Sequence, residues 1–171
     1  MMTNKSTNYG SLAKQLVALI EDEVEPITIF SNISSLLYSN LPNVNWLGFY
    51  FIKNEELLLG PFQGQPACSH LKLESGVCGD AVTQRNLINV EDVYEYPNHI
   101  FCDSNSKSEI VLPIFADNTV IGVLDIDAPT IHRFNKDDEA NLQNIVELIE
   151  RKLTETDLSI MTDVFINYIK K

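Results

Sequence analysis

Three cysteines, Cys68, Cys78 and Cys102, punctuate a chain of 171 residues. Cys68 follows Pro66-Ala67, Cys78 lies between Val77 and Gly79, and Cys102 follows Phe101 at the mouth of a polar stretch that ends at Glu109. All three segments read as loop or element end, whereas core cysteines usually sit inside apolar strands or helices. The pattern points to shared thiol chemistry; the plainer alternative is three unrelated small residues. An odd count argues against a closed disulfide framework. It fits a reducing, cytoplasmic setting, where a disulfide is transient and catalytic or redox-sensing. A zinc site with His70 or His99 as fourth ligand is a further alternative, but separations of 10 and 24 residues lack the paired knuckle of structural zinc.

Only the thiolate attacks well, and helix N-termini or nearby cations favour it. On that rule Cys78, beside the glycines that open a short helix, ranks first. Cys102 has Asp103 next to it, which opposes ionisation, with Lys107 and His99 acting the other way.

These thiols need a frame. Tyr9, Leu12, Leu16, Leu19 and Ile20 recur at helical spacing, and Pro26 opens a second helix carrying Ile29, Ile33, Leu36 and Leu37. The period then changes. Strands are expected over Val44–Ile52, Leu57–Leu59, His70–Leu73, Asn86–Val90, Ile110–Phe115 and Thr119–Ile126, the last two joined by an Asp117-Asn118 turn. A short helix follows Gly76, and residues 91–108 form an irregular loop. Asn135 caps a long helix with Leu142, Ile145, Val146, Ile149 and Leu153 on one face. Leu158, Met161, Phe165 and Tyr168 suggest one more amphipathic set. Hairpins without regular helical crossovers make an α+β fold: a central antiparallel sheet of about five or six strands, helices packed on one face, and a pocket on the other roofed by loops around 60–80 and 91–108.

The length suits a single domain over 1–171. A net charge of −12 without a Lys/Arg cluster excludes a phosphate-backbone reader, so no nucleic acid is expected. No stretch approaches the roughly 18 apolar residues of a membrane span, and the N-terminus lacks a signal-peptide core.

The segments "NWLGFYF", "GPFQGQPAC", "GVCGDAV", "YPNHIFCDSNSKSEIVLPI" and "VIGVLDIDAP" together resemble the free methionine-(R)-sulfoxide reductases, which are built on a GAF domain. The resemblance runs from the first helix to about residue 150; the extension over 156–171 has no assigned role. It implies reduction of free L-methionine-(R)-sulfoxide by a thiol cycle with no metal or organic cofactor, recycled by a thioredoxin-type reductant, in an enzyme that is commonly a homodimer. It makes Cys102 the attacking cysteine, Cys68 the principal resolving one and Cys78 a second exchange thiol, reversing the local ranking. Trp46 and Tyr50 match the aromatic wall around the substrate methyl group. Glu109, Asp125 and Asp127 match the carboxylates around the sulfoxide and ammonium.

The residue types suit those roles. An ammonium needs fixed anionic acceptors, and Asp125 and Asp127 lie two apart on an expected strand, hence on one face; the alternative is a solvated strand end. Glu109 is either a strand-edge gatekeeper or an acid whose burial among others raises its pKa. Glu109 or Asp127 then protonates the sulfoxide oxygen. Two rival functions remain: a GAF module that senses a small molecule, and a thiol redox switch without a sulfoxide substrate.

Overall fold

The computed structural model describes residues 7–159. The elements are α1 (Tyr9–Ile20), α2 (Pro26–Asn40), β1 (Trp46–Lys53), β2 (Glu56–Gln63), β3 (His70–Lys72), α3 (Gly76–Gln84), β4 (Ile88–Val90), β5 (Ser108–Ala116), β6 (Thr119–Ala128) and α4 (Lys136–Leu153). The six strands form one sheet in the order β3-β2-β1-β6-β5-β4, antiparallel throughout. Of the amphipathic set after α4, Leu158 is buried, while Met161, Phe165 and Tyr168 lie outside the described residues.

Strand alternation sorts the two faces. Leu47, Phe49 and Phe51 of β1, Ile110, Leu112 and Ile114 of β5, and Leu124 and Ile126 of β6 join one core with the apolar faces of α1, α2 and α4. The intervening residues, including Trp46, Tyr50, Val111 and Val123, form a second apolar cluster with Val77, Cys78 and Ala81 of α3. α3 therefore packs on the pocket face, opposite the other helices. Its short sequence Gly-Val-Cys-Gly-Asp-Ala carries too little periodicity to have revealed this.

Local chemistry fixes the ends. Asn135 accepts from the backbone N–H groups of Asp137 and Asp138, and Asp138 returns a bond to the Asn135 N–H, a reciprocal capping box that starts α4. Tyr9 and Arg133 also donate to Asp138, tying α1 to that end of α4. Asp117 and Asn118 both have positive φ, as does the Asn54-Glu55 pair, so both hairpins close on left-handed two-residue turns. β2 runs four residues past the expected Leu59, through Gly60-Pro61. β3 pairs only as far as Leu58, so the missing N–H of Pro61 falls where that side of β2 has no ladder partner.

Candidate active site

The face opposite α1, α2 and α4 carries two rows of residues across three strands. Trp46 of β1 pairs with Asp127 of β6, which pairs with Glu109 of β5; one step along, Gly48 pairs with Asp125, which pairs with Val111. Period-2 geometry thus brings Asp125 and Asp127 to one side and sets Glu109 beside them. Their carboxylate oxygens lie within 4.8 Å of one another, and all three residues are buried. Glu109 is not at a sheet edge, since β5 runs between β4 and β6.

Burial raises the pKa of Asp127, helped by the charges of Asp125 and Glu109 and by a hydrogen bond with Glu109. Burial, then the charge of Glu109, also pushes Asp125 well up. The floor therefore favours protonated carboxyls more than solvent-exposed acids would, and its free oxygens suit an ammonium or another small cation. Asp125 Oδ1 is buried without a hydrogen-bond partner, which leaves an acceptor for such a group.

Cys68 and Cys102, 34 residues apart in sequence, are joined in a disulfide with their Cα atoms 5.3 Å apart. That bond takes two of the three thiols out of the cysteine zinc site, and His70 pairs at the exposed surface with Glu56. Cys78 is free and buried. Its Sγ donates to Asp125 Oδ2 at 3.4 Å. Burial, together with the charges of Asp125 and Glu109, holds its thiol protonated well above the usual range. Sequence proximity to a helix start favours a thiolate at Cys78; the acidic floor, contributed by strands 30 and more residues away, works against it.

The cup is lined by Cys78, Cys102, Glu109, Asp125, Asp127 and His99, with Leu71, Ser75–Val77, Ile100, Asp103 and Ser106 completing the wall. These residues come from the sheet, α3 and both expected roof loops. With the disulfide closed, the cavity is about 30 Å³, room for about one or two waters. Trp46 and Tyr50 are each only 1% exposed and sit beside this cavity, not on its open wall. The Trp46 indole stacks between Tyr50 and Phe62, with centroids 5.8 and 5.5 Å away. Gly48 makes that stack possible: a Cβ there would run into Phe62 and the Trp46 ring. Trp46 Nε1 donates to Gln65 O, and Tyr50 Oη to Cys68 O at 3.0 Å, so both anchor the segment bearing Cys68.

The contacts of two further residues emerge only in three dimensions. Asn45 Nδ2 donates to Asp103 Oδ2 and Ser106 Oγ, pinning the loop just after Cys102. His99 Nε2 meets Glu109 Oε2 at 3.1 Å in a pair whose side chains are 5% and 9% exposed. The only sequence signals were a polar residue ahead of an apolar strand and a histidine three positions before Cys102.

An antiparallel sheet with α1, α2 and α4 on one face and α3 beside a loop-roofed cup on the other has the layout of a GAF domain, and the GAF domain family matches residues 28–153. The chain is 42% identical to the free methionine-R-sulfoxide reductase of Escherichia coli, over 90% of this chain and 93% of that one. The structure superposes on the reduced form of fRMsr from Staphylococcus aureus with a TM-score of 0.86 and 54% identity, covering 90% and 99% of the two chains. Free methionine-R-sulfoxide reductase from Neisseria meningitidis, in complex with its substrate, gives a TM-score of 0.82 at 34% identity, covering 86% and 88%. The chain belongs to the GAF-domain family of free methionine-R-sulfoxide reductases.

Proposed function

We propose that this chain reduces free L-methionine-(R)-sulfoxide to methionine, with Cys102 as nucleophile. The observation that carries the reading is the disulfide joining Cys68 to Cys102, which lines a cup floored by Glu109, Asp125 and Asp127. Solved structures of the Staphylococcus aureus and Neisseria meningitidis relatives in complex with substrate support the choice of ligand.

In the proposed cycle the Cys102 thiolate attacks the sulfoxide sulfur while a protonated carboxyl of the floor delivers its proton to the oxygen. The oxygen then passes between the two sulfurs: a Cys102 S–O bond forms as the sulfoxide S–O bond and the transient S–S bond break, methionine leaves with the sulfur electron pair, and Cys102 is left as sulfenic acid. Cys68 then displaces that oxygen as water and forms the disulfide. A thioredoxin-type dithiol returns two electrons and two protons, consistent with a reducing, cytoplasmic setting. Asp127, whose proton burial and neighbouring charges hold, is the proton donor in this scheme. Asp125 and the ionised member of the cluster receive the substrate ammonium. Trp46 and Tyr50 give the methyl end an apolar wall once the cup opens, and sulfur–aromatic contact favours that fit. A homodimer is part of this reading.

Product analysis on separated stereoisomers, free and peptide-bound, tests it. Turnover of the free R isomer alone is expected; equal turnover of the S isomer or of peptide-bound sulfoxide would overturn the assignment.

A further inference from the structure

His99 is the cup residue that the thiol cycle leaves without a task. It is nearly fully buried, and a buried charged or polar ring is kept only where its partners compensate desolvation. One polar partner is present, Glu109, at 3.1 Å from Nε2. Nδ1 is buried with no hydrogen-bond partner. Facing a carboxyl oxygen, Nε2 can carry the ring hydrogen and donate it. The ring is clamped rather than loose: Phe101 meets it edge-on at 4.4 Å between centroids, and the His99 backbone N–H donates to Tyr96 O. Tyr96 in turn donates to Asp80 Oδ2 of α3 at 2.7 Å.

This makes a continuous chain from α3 through Tyr96 and His99 to Glu109, and from Glu109 to Asp127 through their mutual hydrogen bond. Without that donor, the buried Glu109 side chain would lose the partner that aims it into the cup.

We propose that His99 is a positioning residue for sulfoxide reduction: its Nε2–H donates to Glu109 and holds that carboxyl group aimed into the cup, beside Asp127. His99 touches no reacting atom in this scheme and acts through Glu109. The inference rests on the function proposed above and adds to it the residue that orients Glu109.

Three proteins test it: the wild type, His99→Ala, and His99→Gln, whose amide N–H can replace the lost donor. Each is fully reduced and mixed either with methionine-(R)-sulfoxide or with hydrogen peroxide, and the loss of two thiols is followed in time. Peroxide oxidises Cys102 without needing the acidic floor. In His99→Ala the sulfoxide-driven loss is expected to slow by about 100-fold, the scale of a misplaced catalytic group, while the peroxide-driven loss keeps its wild-type rate. His99→Gln should recover most of the sulfoxide rate. An unchanged sulfoxide rate in His99→Ala would overturn the inference, as would equal slowing by both oxidants or a His99→Gln protein as slow as the alanine variant. A wild-type protein that loses thiols to peroxide but never to the sulfoxide would instead overturn the functional reading, and this inference with it.

Discussion

Glu109 and Asp127 stand directly opposite each other across the β5–β6 ladder, on the face turned away from α1, α2 and α4. Like charges directly opposed on one face of a sheet destabilise it, and burial adds a desolvation cost to each. A shared proton relieves both, in keeping with the raised pKa of Asp127.

Stability should therefore fall as pH rises. Asp125 and Asp127 have folded pKa values raised above their unfolded ones, first by burial. Between the two values the folded state binds more protons than the unfolded state, so this contribution is present in full at acid pH and is lost through the raised folded values. Asp127→Asn should flatten the decline and be the more stable protein at pH 8, while its sulfoxide reduction drops by about 100-fold. Urea melts between pH 5 and pH 9 give the slope; a steeper decline in the variant would contradict the argument.

The three cysteines should separate by function. Cys102→Ser is expected to abolish even a single turnover. Cys68→Ser should give one equivalent of methionine and then stall with dithiol reductants. Cys78→Ala should keep cycling, because a buried thiol held in its protonated form by Asp125 contributes little thiolate. Methionine release per enzyme, measured with and without reductant, checks all three.

Tyr50→Phe removes the hydroxyl that donates to the Cys68 carbonyl. A net loss of about 1 kcal/mol in stability is expected. The effect on chemistry should fall on the resolving step: first-turnover methionine formation stays near wild type while disulfide closure slows. Rapid quench followed by thiol alkylation separates the two steps.

Reduction of the disulfide should itself destabilise the fold. The bond closes a loop of 34 residues, worth about 4 kcal/mol in chain entropy. Thermal melts with and without a reductant would show a lower midpoint for the reduced protein, and Cys68→Ser should melt like the reduced form.

Much of this arrangement was legible in the residues. The helical stripes of α1, α2 and α4 and the Asn135 cap lie within single segments, and the two-residue spacing of Asp125 and Asp127 placed both on one face wherever that strand paired. What was not legible shares a cause: it depends on groups brought in from elsewhere. Val77 and Gly79 flank Cys78 in the sequence, but Asp125 beneath it comes from a strand 47 residues on. The reach of β2 through Pro61 depends on where β3 stops pairing. The bond from His99 to Glu109 depends on the loop between β4 and β5 folding over its own strand.

The bond across the mouth of the cup has a kinetic meaning. It ties up both sulfurs that the proposed cycle uses, so the oxidised protein is expected to be refractory to further sulfoxide until the Cys68–Cys102 bond is opened. Oxidant and reductant must then call in alternation, never together, and initial-rate plots against one at fixed levels of the other should run parallel instead of converging.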